Sequence, residues 1–209
     1  MNINVISIFP EILDSSFKGL TGKALEKNIA KLKLIDLKEF SNNDYGSIDD
    51  APYGGGEGMV IGVEPLEKSL KTIKKPGHII YLTPQGKVFN QKKAVNLSKF
   101  KDLTIICGRY EGIDQRFIES YVDEEVSIGD YVLSGGESAA SVVIDAILRN
   151  LDDVIGNQDS VNKDSHSDGK LKGHVYTRPS DFKGKKVPEI LLSGDHKKVN
   201  EWKLANSLW

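Results

Sequence analysis

Cysteine is nearly absent from this chain: Cys107 is the only one in 209 residues. No intrachain disulfide can form, and a reducing cytoplasm is the simplest compartment. Histidine is sparse as well, with His78, His166, His174 and His196 scattered so that no zinc spacing arises. No apolar run approaches the roughly 20 residues that a membrane-spanning helix requires, so no membrane partner is expected. The opening Met1-Asn2-Ile3-Asn4-Val5 lacks the basic segment and apolar core of a secretory signal, and reads as a first strand. The G-x-x-x-x-G-K-[ST] pattern of a phosphate-binding loop is missing. Gly54-Gly55-Gly56-Glu57-Gly58 does not complete G-x-G-x-x-G either, because the sixth position is Met59. Internal repeats are absent.

What remains is an ordinary globular composition, 39% apolar and 28% charged, enough for one α/β domain and a small appendage. Three short apolar runs each empty into a glycine-containing loop. His78 to Leu82 leads into Thr83-Pro84-Gln85-Gly86, Leu103 to Cys107 into Gly108-Arg109-Tyr110-Glu111-Gly112, and Val126 into the stretch Ser127 to Glu137. Such runs, with helical patterns between them, predict a mostly parallel sheet with its ligand at the carboxyl edge. Glycine there allows close approach of backbone to ligand.

The pattern further predicts strands over Asn4–Phe9 and Leu32–Leu37, a glycine-rich loop over Asp49–Met59, and helices over Glu64–Lys71, Gln91–Ser98, Ile113–Tyr121 and Glu137–Arg149. The last of these begins on Gly135-Gly136, which should leave unpaired amides facing the third loop. Residues 156–173 are polar and nearly aperiodic, as expected of a linker or lid between a domain at 1–155 and a segment at 174–209. Asp195 should cap a final helix with Val199, Trp202 and Leu208 on its apolar side. Net charge is −2, yet Lys170 to Lys203 holds nine Lys/Arg against four Asp/Glu, about +5 against −7 elsewhere. A basic segment on an acidic body fits a nucleic-acid footprint, and it fits a lysine-rich solvated surface equally well.

The segments Pro52 to Met59, Tyr81 to Gly86, Cys107 to Asp114 and Ser127 to Glu137 resemble those of the bacterial tRNA (guanine-N1)-methyltransferases. Tyr176-Thr177-Arg178-Pro179 and Leu191 to His196 continue the resemblance, which runs from Ile8-Phe9-Pro10-Glu11 to Ser207-Leu208. It implies a SPOUT-type α/β fold with helices on both faces of the sheet. About Tyr81 to Glu137 would be threaded as a deep trefoil knot, followed by a small helical C-terminal segment. It also implies a homodimer with shared active sites, S-adenosylmethionine as methyl donor, and tRNA with G at position 37 preceded by G as substrate. Mg²⁺ is associated with the family, although no carboxylate cluster here offers a cage.

Residue by residue, the resemblance places the donor against Tyr81, Leu82, Pro84, Gly108, Tyr110, Glu111, Ile128, Gly129, Asp130, Tyr131, Val132, Leu133, Gly135 and Gly136. RNA contacts fall on Asp50, Tyr53, Gly54 and Gly55, and on Arg178, Lys197 and Lys203. Asp164 becomes the base for the guanine N1 proton and Arg149 the partner of O6; no metal ligand is implied. Read without the family, Glu111 is equally a helix-start carboxylate, Arg149 a helix-end cation, and Asp164 a solvated loop carboxylate beside Asp159 and Asp168. Arg109 and Arg116 are expected to fix loops or touch RNA. His166 stands where relatives carry Phe, and Val175 where they carry His. Relatives usually continue beyond Ser207-Leu208, so either the remaining basic segment suffices or RNA affinity is reduced. The alternatives are an RNA-binding module without turnover and a knotted methyltransferase of another RNA.

Overall fold

Strands buried on both faces need near-continuous apolar runs rather than alternating ones, and the runs His78 to Leu82 and Leu103 to Cys107 supply them. The computed structural model describes residues 1–14, 16–41, 47–155, 165–166 and 171–207. The chain divides into two compact units, Met1–Gly156 and Asn157–Trp209. In the first, β1 (Asn2–Ser7) and β2 (Lys31–Asp36) precede a small antiparallel pair, β3 (Asp49–Asp50) and β4 (Val60–Ile61). β5 (His78–Val88), β6 (Asp102–Cys107) and β7 (Glu124–Ser127) complete a five-stranded sheet in the order β2-β1-β6-β5-β7. Every pairing in it is parallel.

Helices α1 (Glu11–Asp14), α2 (Gly19–Glu26), α3 (Val63–Lys71), α4 (Gln91–Leu97), α5 (Gln115–Tyr121) and α6 (Gly136–Leu148) fill the connections. Alternate strand side chains enter two separate cores. Ile80, Leu82, Leu103 and Ile105 pack with Ala140, Val143, Ile144 and Ile147 of α6. Ile79, Tyr81 and Ile106 pack on the opposite face with Leu66 and Leu70 of α3 and Phe117 of α5. Each fully buried aliphatic side chain contributes about 2 kcal/mol, so packing rather than intrinsic propensity holds α6 in place.

Element boundaries shift by one or two residues from those predicted, and three differences have physical reasons. Residues 83–86 are not a free loop: β5 continues to Val88, and its register against β7 jumps between Leu82 and Lys87. Gly86 permits this, since a Cβ there would lie 2.3 Å from the Val126 amide nitrogen. Asp49 and Asp50, expected in a loop, pair with Ile61 and Val60. The Gly136 amide is not left unpaired; it donates to the Gly108 carbonyl at 2.9 Å.

The second unit contains a hairpin of β8 (Asp181–Phe182) and β9 (Lys185–Lys186), then α7 (Glu189–Leu192) and α8 (His196–Ala205). The Asp195 carboxylate accepts from the Lys198 amide at 3.1 Å and caps α8. Val199 and Trp202 are half-buried, with the Tyr176 and Trp202 ring centroids 6.4 Å apart. Leu208 and most of 156–173 lie outside the described residues.

At the amino edge of the sheet, His78 Nε2 lies 2.8 Å from Glu124 Oε1, and Lys93 also donates to Glu124. Burial works against the Glu124 charge, but the Lys93 and His78 contacts outweigh it and hold the carboxyl below its ordinary 4.5. A carboxyl depressed in the folded state stabilises above its unfolded pKa, and that contribution is lost as pH falls through the folded value. Glu124→Gln should therefore lower stability by about 1 kcal/mol at neutral pH, with the difference shrinking below a pH of about 4.5. Urea titrations at neutral and acidic pH read this directly; a gap of equal size at both would refute it.

Candidate functional site

Because β6, β5 and β7 are neighbours, the segments at their carboxyl ends meet in one place. They enclose a cleft of about 200 Å³ lined by residues 81–85, 108–112 and 126–136, with Asp130 the main exception. Two of its glycines have no room for a side chain: a Cβ at Gly108 would lie 2.8 Å from the Tyr81 hydroxyl, and one at Gly136 2.8 Å from the Cys107 Cα. Burial raises the Tyr81 phenol above its ordinary value, against hydrogen bonds from Thr83 and the Ile113 backbone, so the group stays neutral. Burial also pushes the Cys107 thiol well up, and the Glu137 carboxylate adds to the effect; Cys107 is a packing residue, not a nucleophile. Tyr110, at φ +58°, occupies the left-handed region that a bulky side chain rarely adopts.

One buried carboxylate ties the cleft together. Glu137, in the first turn of α6, is 1% exposed. Its Oε1 accepts from the Ser7 hydroxyl at 2.7 Å, at the end of β1. Its Oε2 lies 3.1 Å from an Arg109 guanidinium nitrogen, and Arg109 Nε is 3.2 Å from both carboxylate oxygens. Arg109 donates onward to the Ser134 carbonyl at 3.4 Å and lies 4.5 Å over the Phe9 ring. The second and third loops are thus bolted to each other and to β1. Arg109 fixes loops, as expected. Ser7 and Glu137 were not foreseen, because partners 130 residues apart leave no local signal.

With Arg109 engaged by Glu137, the other charged side chain lining the cleft is Glu111. Such a lining suits a ligand with a cationic group and argues against one bearing several phosphates. Glu111 also joins the cleft to the glycine-rich loop: its amide donates to the Met59 carbonyl at 3.0 Å, and its side chain lies against Gly58. Ile61 and Asp114 amides extend the seam, at 3.0 Å to Gly112 and Ile61 carbonyls.

The structure therefore gathers Tyr81, Leu82, Pro84, Gly108, Tyr110, Glu111, Ile128, Gly129, Tyr131, Val132, Leu133, Gly135 and Gly136 around one cavity. Asp130 is exposed and is not among the lining residues. Tyr53, 98% exposed, projects from the glycine-rich loop beside Gly54 and Gly55, with Asp50 at the loop's base in β3. Arg116 is tied to Asp114 at the start of α5, at 2.6 and 2.9 Å. Arg149 caps the carboxyl end of α6, thirteen residues or about 20 Å from the cleft at its amino end. Arg178, Lys197 and Lys203 are exposed in the second unit. Asp164 lies outside the described residues. Among those described, no three His, Cys, Asp or Glu side chains converge to hold a metal, and no helix is long and apolar enough to cross a membrane.

Residues 1–209 match the protein family described as tRNA (Guanine-1)-methyltransferase TrmD. The chain belongs to this family. A relative from Buchnera aphidicola, named tRNA (guanine-N(1)-)-methyltransferase, is 50% identical over 208 residues, spanning 98% of this chain and 79% of its own. Relatives of the same name from Wolbachia pipientis and Finegoldia magna are 47% and 43% identical, covering 99% and 100% of this chain and 90% of each relative. The match favours neither the non-enzymatic reading nor methylation of another RNA.

Removing one partner of a buried ion pair leaves the other charge uncompensated, a larger loss than removing both. Arg109→Ala should destabilise the protein by about 3 kcal/mol, and adding Glu137→Gln should restore more than half of that. Chemical denaturation of the single and double variants decides it, since simple additivity would show that the pair is not coupled.

Proposed function

We propose that this protein methylates N1 of the guanosine at position 37 of tRNA where another G precedes it. It would use S-adenosylmethionine and work in the cytoplasm as a homodimer with shared active sites. The observation that carries the reading is the single cleft at the carboxyl edge, lined by an acid, in a chain that matches the family throughout. The donor, when bound, supplies an electrophilic methyl group on a sulfonium.

The chain's own residues divide the remaining work. Tyr81, Leu82, Pro84, Gly108 and the backbone from Ile128 to Leu133 would hold the adenosine portion, and Glu111 would face its cationic end. Because the Glu137–Arg109 pair fixes these segments beforehand, the methyl carbon is presented without reorganisation, which supplies effective molarity. Asp164 takes the N1 proton. In water an aspartate titrates at about 3.9, too acidic for an efficient base, so the Asp164 role requires its carboxylate to lose water when the guanine binds. Arg149 neutralises charge building on O6.

Sharing between subunits is supported by the length of α6. Its two ends carry the donor cleft and Arg149, and about 20 Å separates them, a gap that a second copy presenting its own Arg149 would close. Exposed apolar side chains at Ile12 of α1 and Val142 of α6 offer a contact face. The trefoil threading of Tyr81 to Glu137 belongs to the same proposal. Residues 174–209 would grip RNA through Arg178, Lys197 and Lys203, while Asp50, Tyr53, Gly54 and Gly55 approach the target nucleotide.

Labelled donor and tRNA transcripts with G or A at position 37 test the assignment. Transfer to G alone is expected; transfer to neither overturns the enzyme, and equal transfer overturns the specificity. Asp164→Asn should abolish turnover while leaving donor affinity within about threefold, whereas a large loss of donor binding would make the residue a ligand contact. Arg149→Ala mixed with Gly136→Val, each inactive alone, should recover about a quarter of parental activity through mixed dimers. No recovery would place both residues in one subunit's site.

A further inference from the structure

The hairpin in the second unit carries side chains that its own fold does not call for. It turns through Lys183 and Gly184, both at positive φ, 54° and 82°, the backbone of a two-residue turn that prefers Asn-Gly or Gly-Gly. Asp181 pins the turn by accepting from the Gly184 amide at 2.8 Å, and the Val187 amide closes the open end on the Ser180 carbonyl at 2.9 Å. Lysine is not a residue that this turn favours.

Phe182 stands directly opposite Lys185, and Asp181 opposite Lys186. Paired residues share a face of a hairpin, so the Phe182 ring and the Lys185 ammonium rise together. The Lys183 ammonium lies 5.5 Å from the ring centroid. Phe182 is 61% exposed, and Lys183, Lys185 and Lys186 are exposed as well. The tip thus presents an aromatic ring with Lys183 and Lys185 beside it, while Lys186 lies on the other face with Asp181, the single acid among residues 181–186, whose carboxylate is occupied by the turn.

We propose that this hairpin is an RNA-docking finger that takes an unpaired nucleotide: Phe182 stacks on the base while Lys183, Lys185 and Lys186 neutralise the flanking phosphates. The inference rests on the tRNA reading above and adds a surface that Arg178, Lys197 and Lys203 do not include. Paired RNA would satisfy the lysines through its backbone but would leave the ring against water. A loop or a splayed-out base uses both.

The test uses the full-length enzyme. Lys183→Asn/Lys185→Gln/Lys186→Gln removes the charges, and asparagine suits the turn better than lysine, so the hairpin stays formed. The charge-matched control is Lys74→Gln/Lys75→Gln/Lys99→Gln, exposed residues just before β5 and β6 at the opposite edge of the sheet from the donor cleft. The hairpin variant should raise KM for tRNA about tenfold or more and flatten its dependence on log salt by about two to three units, with donor affinity and kcat unchanged. The control should change KM less than about twofold. Phe182→Leu should raise KM about tenfold at unchanged salt slope, and Phe182→Tyr should restore it. Equal effects in hairpin and control variants, or an unaltered KM in Phe182→Leu, would overturn the finger while leaving the enzyme assignment standing. A parent protein that methylates no tRNA would instead overturn the assignment on which the finger rests.

Discussion

The Glu137 carboxylate, sealed from water between Ser7 and Arg109, is the constraint on which the donor cleft depends. An ion taken out of water costs several kcal/mol, and the cost is offset only while geometry and hydrogen bonds are both kept. Each of the three partners belongs to a different part of the chain: Ser7 ends β1, Arg109 opens the second loop, and Glu137 begins α6. Displacing any one strands the charge. The loops consequently have one favourable arrangement rather than a range, and the cleft is shaped before any ligand arrives. The aliphatic core under α6 supplies the stability that lets the chain keep this charge, and the charge supplies the precision that the aliphatic core alone would not.

That arrangement also decides what the cleft can hold. Arg109 would otherwise be the cation to attract phosphates, and Glu137 consumes it. Glu111 then sets the sign of the lining, and Gly108 and Gly136 leave no room for side chains of their own. A ligand with a positive centre and planar, hydrogen-bonding ends suits this lining; a triphosphate does not. Glu111 is at the same time hydrogen-bonded through its backbone to the exit of the glycine-rich loop. The surface that faces the proposed substrate and the surface that faces the donor are stitched along one seam, so a shift in either is felt in the other.

The parallel sheet, the three carboxyl-edge segments and most helices were legible in the sequence, because apolar periodicity and glycine punctuation are local signals. The register jump after Leu82 was not, since it depends on how closely Gly86 can pass the backbone of β7. Nor was the Gly136 amide's bond to Gly108, which made a helix start look open when it is closed. The resemblance names Asp130 with the donor contacts, whereas in the structure its side chain is exposed and outside the cleft lining. Ser7 and Glu137 were invisible for a different reason: a serine ending a strand and a glutamate opening a helix are each ordinary alone. Only the fold makes them partners.

The two units solve recognition with different materials. In the first, the ligand surface is held by a buried network, and its variation is limited by backbone clearance: a single methyl group at Gly136 would meet the Cys107 backbone at 2.8 Å. In the second, no side chain of α7 or α8 is buried, and the chemistry resides in exposed lysines and aromatic rings on short elements. Substitution there costs little stability, so charge can accumulate or disperse without endangering the fold. An overall charge of −2 therefore conceals a division of labour. On the proposed reading, the acidic body would be constrained by the geometry of a small cationic ligand, while the basic segment would be free to follow the phosphates of a large polyanion.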